Sequence, residues 1–119
     1  MNYISTRGLS RKNYKSFSEV TMEGLAADGG LYVPENIPKF SKVELDQISG
    51  FSYVELCVKV ISKFTDEYFT ENDIKDIAID SYKNFNSSDI APLIEVEKNK
   101  YILELFHGPT LAFKDFALQ

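Results

Sequence analysis

The side chains whose types and spacing could do chemistry gather in one run, Glu104-Leu105-Phe106-His107-Gly108-Pro109-Thr110-Leu111-Ala112-Phe113-Lys114-Asp115-Phe116. Lys114 follows a Gly-Pro turn and is flanked by Leu111, Ala112, Phe113 and Phe116. An ammonium in such an apolar frame is expensive to keep charged. An amine desolvated in that way is a usable nucleophile of the kind that Schiff-base chemistry requires. The plain alternative is that Lys114 snorkels from the edge of a core helix. His107 stands just before the turn and is the only residue whose unperturbed pKa lies near neutrality. It is open to two readings, a contact to a small molecule or a satisfied turn residue.

The elements that must position this run follow from local pattern. Tyr3 to Thr6 reads as a short strand, and Ser16-x-x-Glu19 is a capping box that opens a helix ending near Gly24. Asp28-Gly29-Gly30 makes a turn into a brief strand, Leu31-Tyr32-Val33, which Pro34 terminates. Ser41-x-x-Glu44 opens a helix closed by Gly50, and Ser52-x-x-Glu55 opens a longer one running to about Phe64. Val54, Cys57, Val58 and Ile61 form its apolar face at i, i+3, i+4, i+7 spacing. Thr70-x-x-Asp73 starts another helix, with Ile74, Ile77, Ala78, Ser81, Tyr82 and Phe85 on one side, and the two helices are expected to pack together.

Asn86-Ser87-Ser88-Asp89 is a polar break that suits a domain junction, dividing the chain into residues 1–88 and 89–119. After it the period changes. Leu93 to Glu97 and Tyr101 to Phe106, separated by Lys98-Asn99-Lys100, predict a hairpin. Its second strand leads into the Gly-Pro turn, where Thr110 is a good N-cap and Asp115 complements the positive end of the helix dipole. Lys114 is thus expected one turn inside a helix, at a strand-to-helix junction where ligands collect in open α/β sheets. A helix barely begun at Gln119 would leave Leu111, Phe113, Phe116 and Leu118 little to bury against, so the chain reads as the front of a longer protein.

Two blocks of residues also carry a family resemblance. The run from Glu104 to Gln119 closely resembles the cofactor-lysine segment of the threonine synthase family, which belongs to the fold-type II pyridoxal-phosphate enzymes. Tyr3-Ile4-Ser5-Thr6-Arg7-Gly8, Ser16-Phe17-Ser18-Glu19-Val20 and the run Gly24 to Pro34 look like the amino-terminal signature of that family. The stretch from Ser41 to Ser88 matches more in helical pattern than in residues. The resemblance implies an α/β protein in which a small helix-rich domain precedes the hairpin and first helix of a fold-type II catalytic domain. It implies that Lys114 carries pyridoxal 5'-phosphate covalently, that Phe113 packs near its ring, and that His107 and Thr110 face the substrate. The reaction implied is a carbon-oxygen lyase reaction, O-phospho-L-homoserine and water giving L-threonine and phosphate, with Lys114 moving protons at the α and β carbons. The glycine-rich loop that holds the cofactor phosphate in that family is not found in these residues. Residues 1–119 by themselves are therefore expected to be inactive. A sister enzyme with another substrate is the near rival, and a non-catalytic interaction module is the distant one.

Composition bounds the remaining classes. A formal net charge of -5, with 13 basic against 18 acidic residues, argues against a nucleic-acid surface. No apolar run approaches the roughly 20 residues that span a bilayer, and no secretory signal opens the chain, so no membrane partner and a cytoplasmic location are expected. Cys57 cannot form an internal disulfide and reads as a small buried hydrophobe; one His and one Cys give no zinc spacing, so no metal is expected. An exposed patch from Leu111 to Leu118 would favour self-association.

Overall fold

The computed structural model describes residues 1–8, 14–65 and 67–119. Strand β1 (Tyr3–Ser5) buries Tyr3 and Ser5 on one side of its pleat. Helix α1 (Phe17–Glu23) follows, and β2 (Tyr32–Pro34) returns antiparallel to β1 with Ile4 opposite Val33. The strand sits one residue later than its pattern predicts, with Pro34 as its last member. The glycine pair in the turn before it divides its labour. Gly29 takes the left-handed conformation, at φ 75°. Gly30 supplies space, because a Cβ there would collide with the Ser5 hydroxyl. The Gly30 N–H and the Ser5 hydroxyl both donate to one Asp28 carboxylate oxygen, at 2.9 and 2.7 Å.

Helices α2 (Lys42–Ile48), α3 (Tyr53–Ile61) and α4 (Glu71–Tyr82) come next. The three expected capping boxes close in both directions, and Thr70 with Asp73 makes a fourth at the start of α4. At α3 the Ser52 N–H donates to Glu55 at 2.7 Å and the Glu55 N–H donates to Ser52 Oγ at 3.4 Å. The α4 box uses Asp73 in place of the longer glutamate, at 2.8 and 3.2 Å. Helix α3 ends three residues short of its expected end. The chain goes on through i→i+3 bonds, Lys63 N–H to Val60 and Phe64 N–H to Ile61, a tightened last turn.

Helices α3 and α4 pack on each other, with Val58, Ile74 and Ala78 buried. Ile61 and Ile77, expected on the buried faces, lie at the rim, where they line an apolar groove with Phe17 and Phe69. Cys57 is half-buried beside Tyr53, and burial pushes its thiol up. The Tyr3 hydroxyl donates to the Phe64 carbonyl at 2.6 Å, and Phe17 meets Phe69 edge to face at 5.8 Å. These contacts fasten the small sheet and α1 to the helical layer.

Beyond α4 the hairpin forms from β3 (Leu93–Glu97) and β4 (Lys100–Leu103). Its turn is shorter than expected, since Lys100 joins the strand and Asn99 takes φ 61°. A register shift lies between Glu95 and Glu97. The second strand stops at Leu103 rather than Phe106, with one further bond from Glu104 N–H to the Pro92 carbonyl at 2.9 Å. Both faces of the hairpin are exposed. Among the described residues no helix is long and apolar enough to cross a membrane.

Candidate active site

The run singled out in the sequence folds as an irregular loop followed by α5 (Asp115–Leu118). Thr110 is not the N-cap that its position suggested. The helix starts five residues later, Lys114 occupies the cap position, and no side chain caps it. The reason lies in Asp115, whose carboxylate turns back into the loop instead of facing the helix start. One oxygen accepts the Thr110 backbone N–H at 2.8 Å and the other accepts the Thr110 hydroxyl at 2.6 Å. Asp115 is only 3% exposed, and donation from the Thr110 hydroxyl holds its carboxyl below the usual carboxylate range against the opposing effect of burial. Gly108 must lack a side chain, because a Cβ there would run into that carboxylate. Leu111, between them, is held at φ 60°.

Lys114 itself is exposed, and no hydrogen bond or ion pair engages its ammonium among the described residues. Among the described residues the expected apolar enclosure is not built. Leu111 and Phe113, which should have supplied it, are 66% and 67% exposed. Ala112 is half-buried, and of the large apolar residues only Phe116 turns inward. It joins an aromatic seam, 5.1 Å from Phe85 and 6.1 Å from Tyr53, while Tyr82 lies 5.1 Å from both Tyr53 and Phe85. The Tyr82 hydroxyl donates to the Phe116 carbonyl at 3.1 Å. The seam ties the Lys114 segment to α3 and α4, and burial pushes the Tyr53 and Tyr82 phenols up.

His107 is half-buried, with Nε2 2.7 Å from a Glu104 carboxylate oxygen and its ring 4.7 Å from that of Phe106. Facing a carboxylate, Nε2 is the donor. The His107 carbonyl accepts the Asn86 N–H at 2.8 Å, so the polar break after α4 is stitched to the loop. Glu104 and Asp115 were not picked out as partners of His107 and Thr110. The available signal was weak: a carboxylate in an apolar run must find donors nearby, and the nearest are those two residues.

A sequence model of the family described as Threonine synthase N terminus matches residues 2–82, from the start of the first strand to the end of α4. The chain belongs to the threonine synthase family. The threonine synthase of Pseudomonas aeruginosa is 47% identical over the whole chain, which spans 25% of that protein. Two solved structures superpose closely. A threonine synthase from Brucella melitensis with bound PLP gives a TM-score of 0.91 at 40% identity, covering 98% of this chain and 25% of that one. The yeast enzyme gives 0.91 at 38% identity, covering 98% and 24%. The chain thus spans about a quarter of the length of the threonine synthases it matches.

Proposed function

We propose that these residues are the amino-terminal part of a threonine synthase, in which Lys114 binds pyridoxal 5'-phosphate through its amine. The observation that carries this reading is the state of Lys114, exposed and unpaired next to an anchored carboxylate, with an anchored aromatic ring two residues on. Condensation with an aldehyde needs an uncommitted amine, and a planar pyridine ring needs an apolar surface, which Phe113 offers beside it. The residues therefore fit the aldehyde end of the cofactor. The Thr110 and Leu111 N–H groups are already bound within the loop and so do not serve its phosphate.

When bound, pyridoxal phosphate supplies an electron sink for carbanion chemistry. The Lys114 amine holds it, and once released it moves protons at the α and β carbons of O-phospho-L-homoserine. Phosphate would leave the γ carbon, a proton taken from the substrate would return to that carbon, and water would add at the β carbon to give L-threonine. His107, whose Nε2 is held by Glu104, is assigned to contact the substrate. Thr110 is the second substrate-facing candidate, with its hydroxyl proton donated to Asp115 within the loop. The catalytic part begins after α4, where the polar break at residues 86–89 leads into the hairpin.

The test uses the complete protein, incubated with pyridoxal phosphate, reduced with borohydride and digested for mass spectrometry. A phosphopyridoxyl group on Lys114, with phosphate released from O-phospho-L-homoserine, is the expected result. A folded protein that stays unlabelled at Lys114 overturns the assignment. Label without phosphate release would move the chain to a sister enzyme with another substrate.

A further inference from the structure

Asp115 is a buried carboxylate next to the residue assigned to the cofactor, and the chemistry above gives it no step. Its two oxygens are both occupied by Thr110, at 2.8 and 2.6 Å, and the Gln119 side-chain amide reaches one of them at 3.5 Å. Gly108 lies against the carboxylate so closely that only glycine fits. The span from Gly108 to Asp115 is therefore closed into a ring, and Leu111 inside it is kept in a backbone region that its side chain disfavours. Strain of that kind persists only where the surroundings over-determine it. Two residues past Lys114, Phe116 is fixed by the aromatic seam and by the Tyr82 hydroxyl.

We infer that Asp115 is a positioning residue for cofactor attachment, in that its clasp on Thr110 and Gly108 fixes the Lys114 backbone so that the amine faces outward. The inference rests on the reading of Lys114 given above. It goes further by assigning the orientation of that amine to a carboxylate that touches neither cofactor nor substrate. The clasp needs a hydroxyl at residue 110 as well as a carboxylate at residue 115, and this requirement makes it testable apart from general stability.

The experiment uses the complete protein and compares the unmodified form with Asp115→Ala, Thr110→Val and Thr110→Ser. Three quantities are read together: cofactor affinity by absorbance titration, the absorption band of the lysine-bound cofactor, and the unfolding midpoint. Thr110→Val is expected to weaken cofactor affinity by roughly tenfold, the size of effect seen when second-layer hydrogen bonds to a liganding group are lost. It should also shift the absorption band, and Thr110→Ser should restore both. Asp115→Ala should act in the same direction and more strongly. If Asp115→Ala does not fold, the Thr110 pair still decides the matter. Unchanged affinity and band in Thr110→Val overturn the clasp while leaving Lys114 as the cofactor residue. An unlabelled Lys114 in the unmodified protein overturns both readings.

Discussion

Helices α3 and α4 and the segment from Glu104 to Gln119 are built from similar material, aromatic and branched residues interrupted by charges, and they use it in opposite ways. In the helices each start is fixed by a neighbour three residues away, through the Ser52–Glu55 and Thr70–Asp73 boxes, and the apolar stripe of Val58, Ile74 and Ala78 is buried. In the second region the helix has only four residues, Leu111 sits at positive φ, and Leu111, Phe113 and Leu118 face outward. Its shape is imposed by less local bonds: Asp115 to Thr110, Asn86 to His107, Tyr82 to Phe116. The helices are stable by their own pattern, and the Lys114 segment is held in place by them. Chemistry and stability should accordingly respond to different substitutions.

The sharpest break of that comparison is Lys114→Ala in the complete protein. Turnover should fall by at least about a thousandfold, as when a covalent catalytic group is removed. Because the side chain is exposed and unpaired, stability compared without added cofactor should stay within about 0.5 kcal/mol of the unmodified protein in urea unfolding. Ile74→Ala should do the reverse. At 3% exposure its truncation leaves a cavity costing about 2–5 kcal/mol by the same measurement. Phe116→Ala tests the link between the two regions. Half-buried with three ring partners, it should cost about 3 kcal/mol. It should also lower borohydride labelling of Lys114, whereas Ile74→Ala should leave labelling intact wherever the protein remains folded.

The same contrast decides what could be read from the sequence. The four helix starts were legible because the reciprocal bonds span only three residues and need no tertiary partner. The strand pairing of Tyr3–Ser5 with Tyr32–Pro34 was half legible: the segments were visible, their register was not. Lys114 stood out as a lysine among aromatics. Its surroundings were misread, because the pattern of Leu111, Phe113 and Phe116 suggested one apolar face, and in the structure only Phe116 turns inward. Local pattern makes Thr110 a helix cap, while the longer-range acceptor Asp115 claims both its N–H and its hydroxyl. Local hydrogen bonding is written in short spacings. A loop whose conformation depends on a carboxylate five residues away and a tyrosine thirty-four residues away is not.

Smaller effects sharpen the helical side. Ser52→Ala removes the cap of α3 and should cost about 1 kcal/mol without altering Lys114 labelling. The least effect at neutral pH is expected from Glu44→Gln. Glu44 accepts the Lys63 ammonium at 2.6 Å and the Ser41 N–H at 2.7 Å, and these bonds, the lysine's first, lower its carboxyl from 4.5 to about 2. The folded value lies below the unfolded one, so the stabilisation is fully present above pH 4.5 and is lost as pH falls toward 2. The unfolding midpoints of the unmodified protein and Glu44→Gln should therefore differ at pH 6 and converge on acidification. The pair is solvent-facing, so high salt at neutral pH should narrow the same gap. A gap that persists at low pH would assign the effect of Glu44 to the α2 cap geometry, which an amide cannot fully reproduce, and not to its charge.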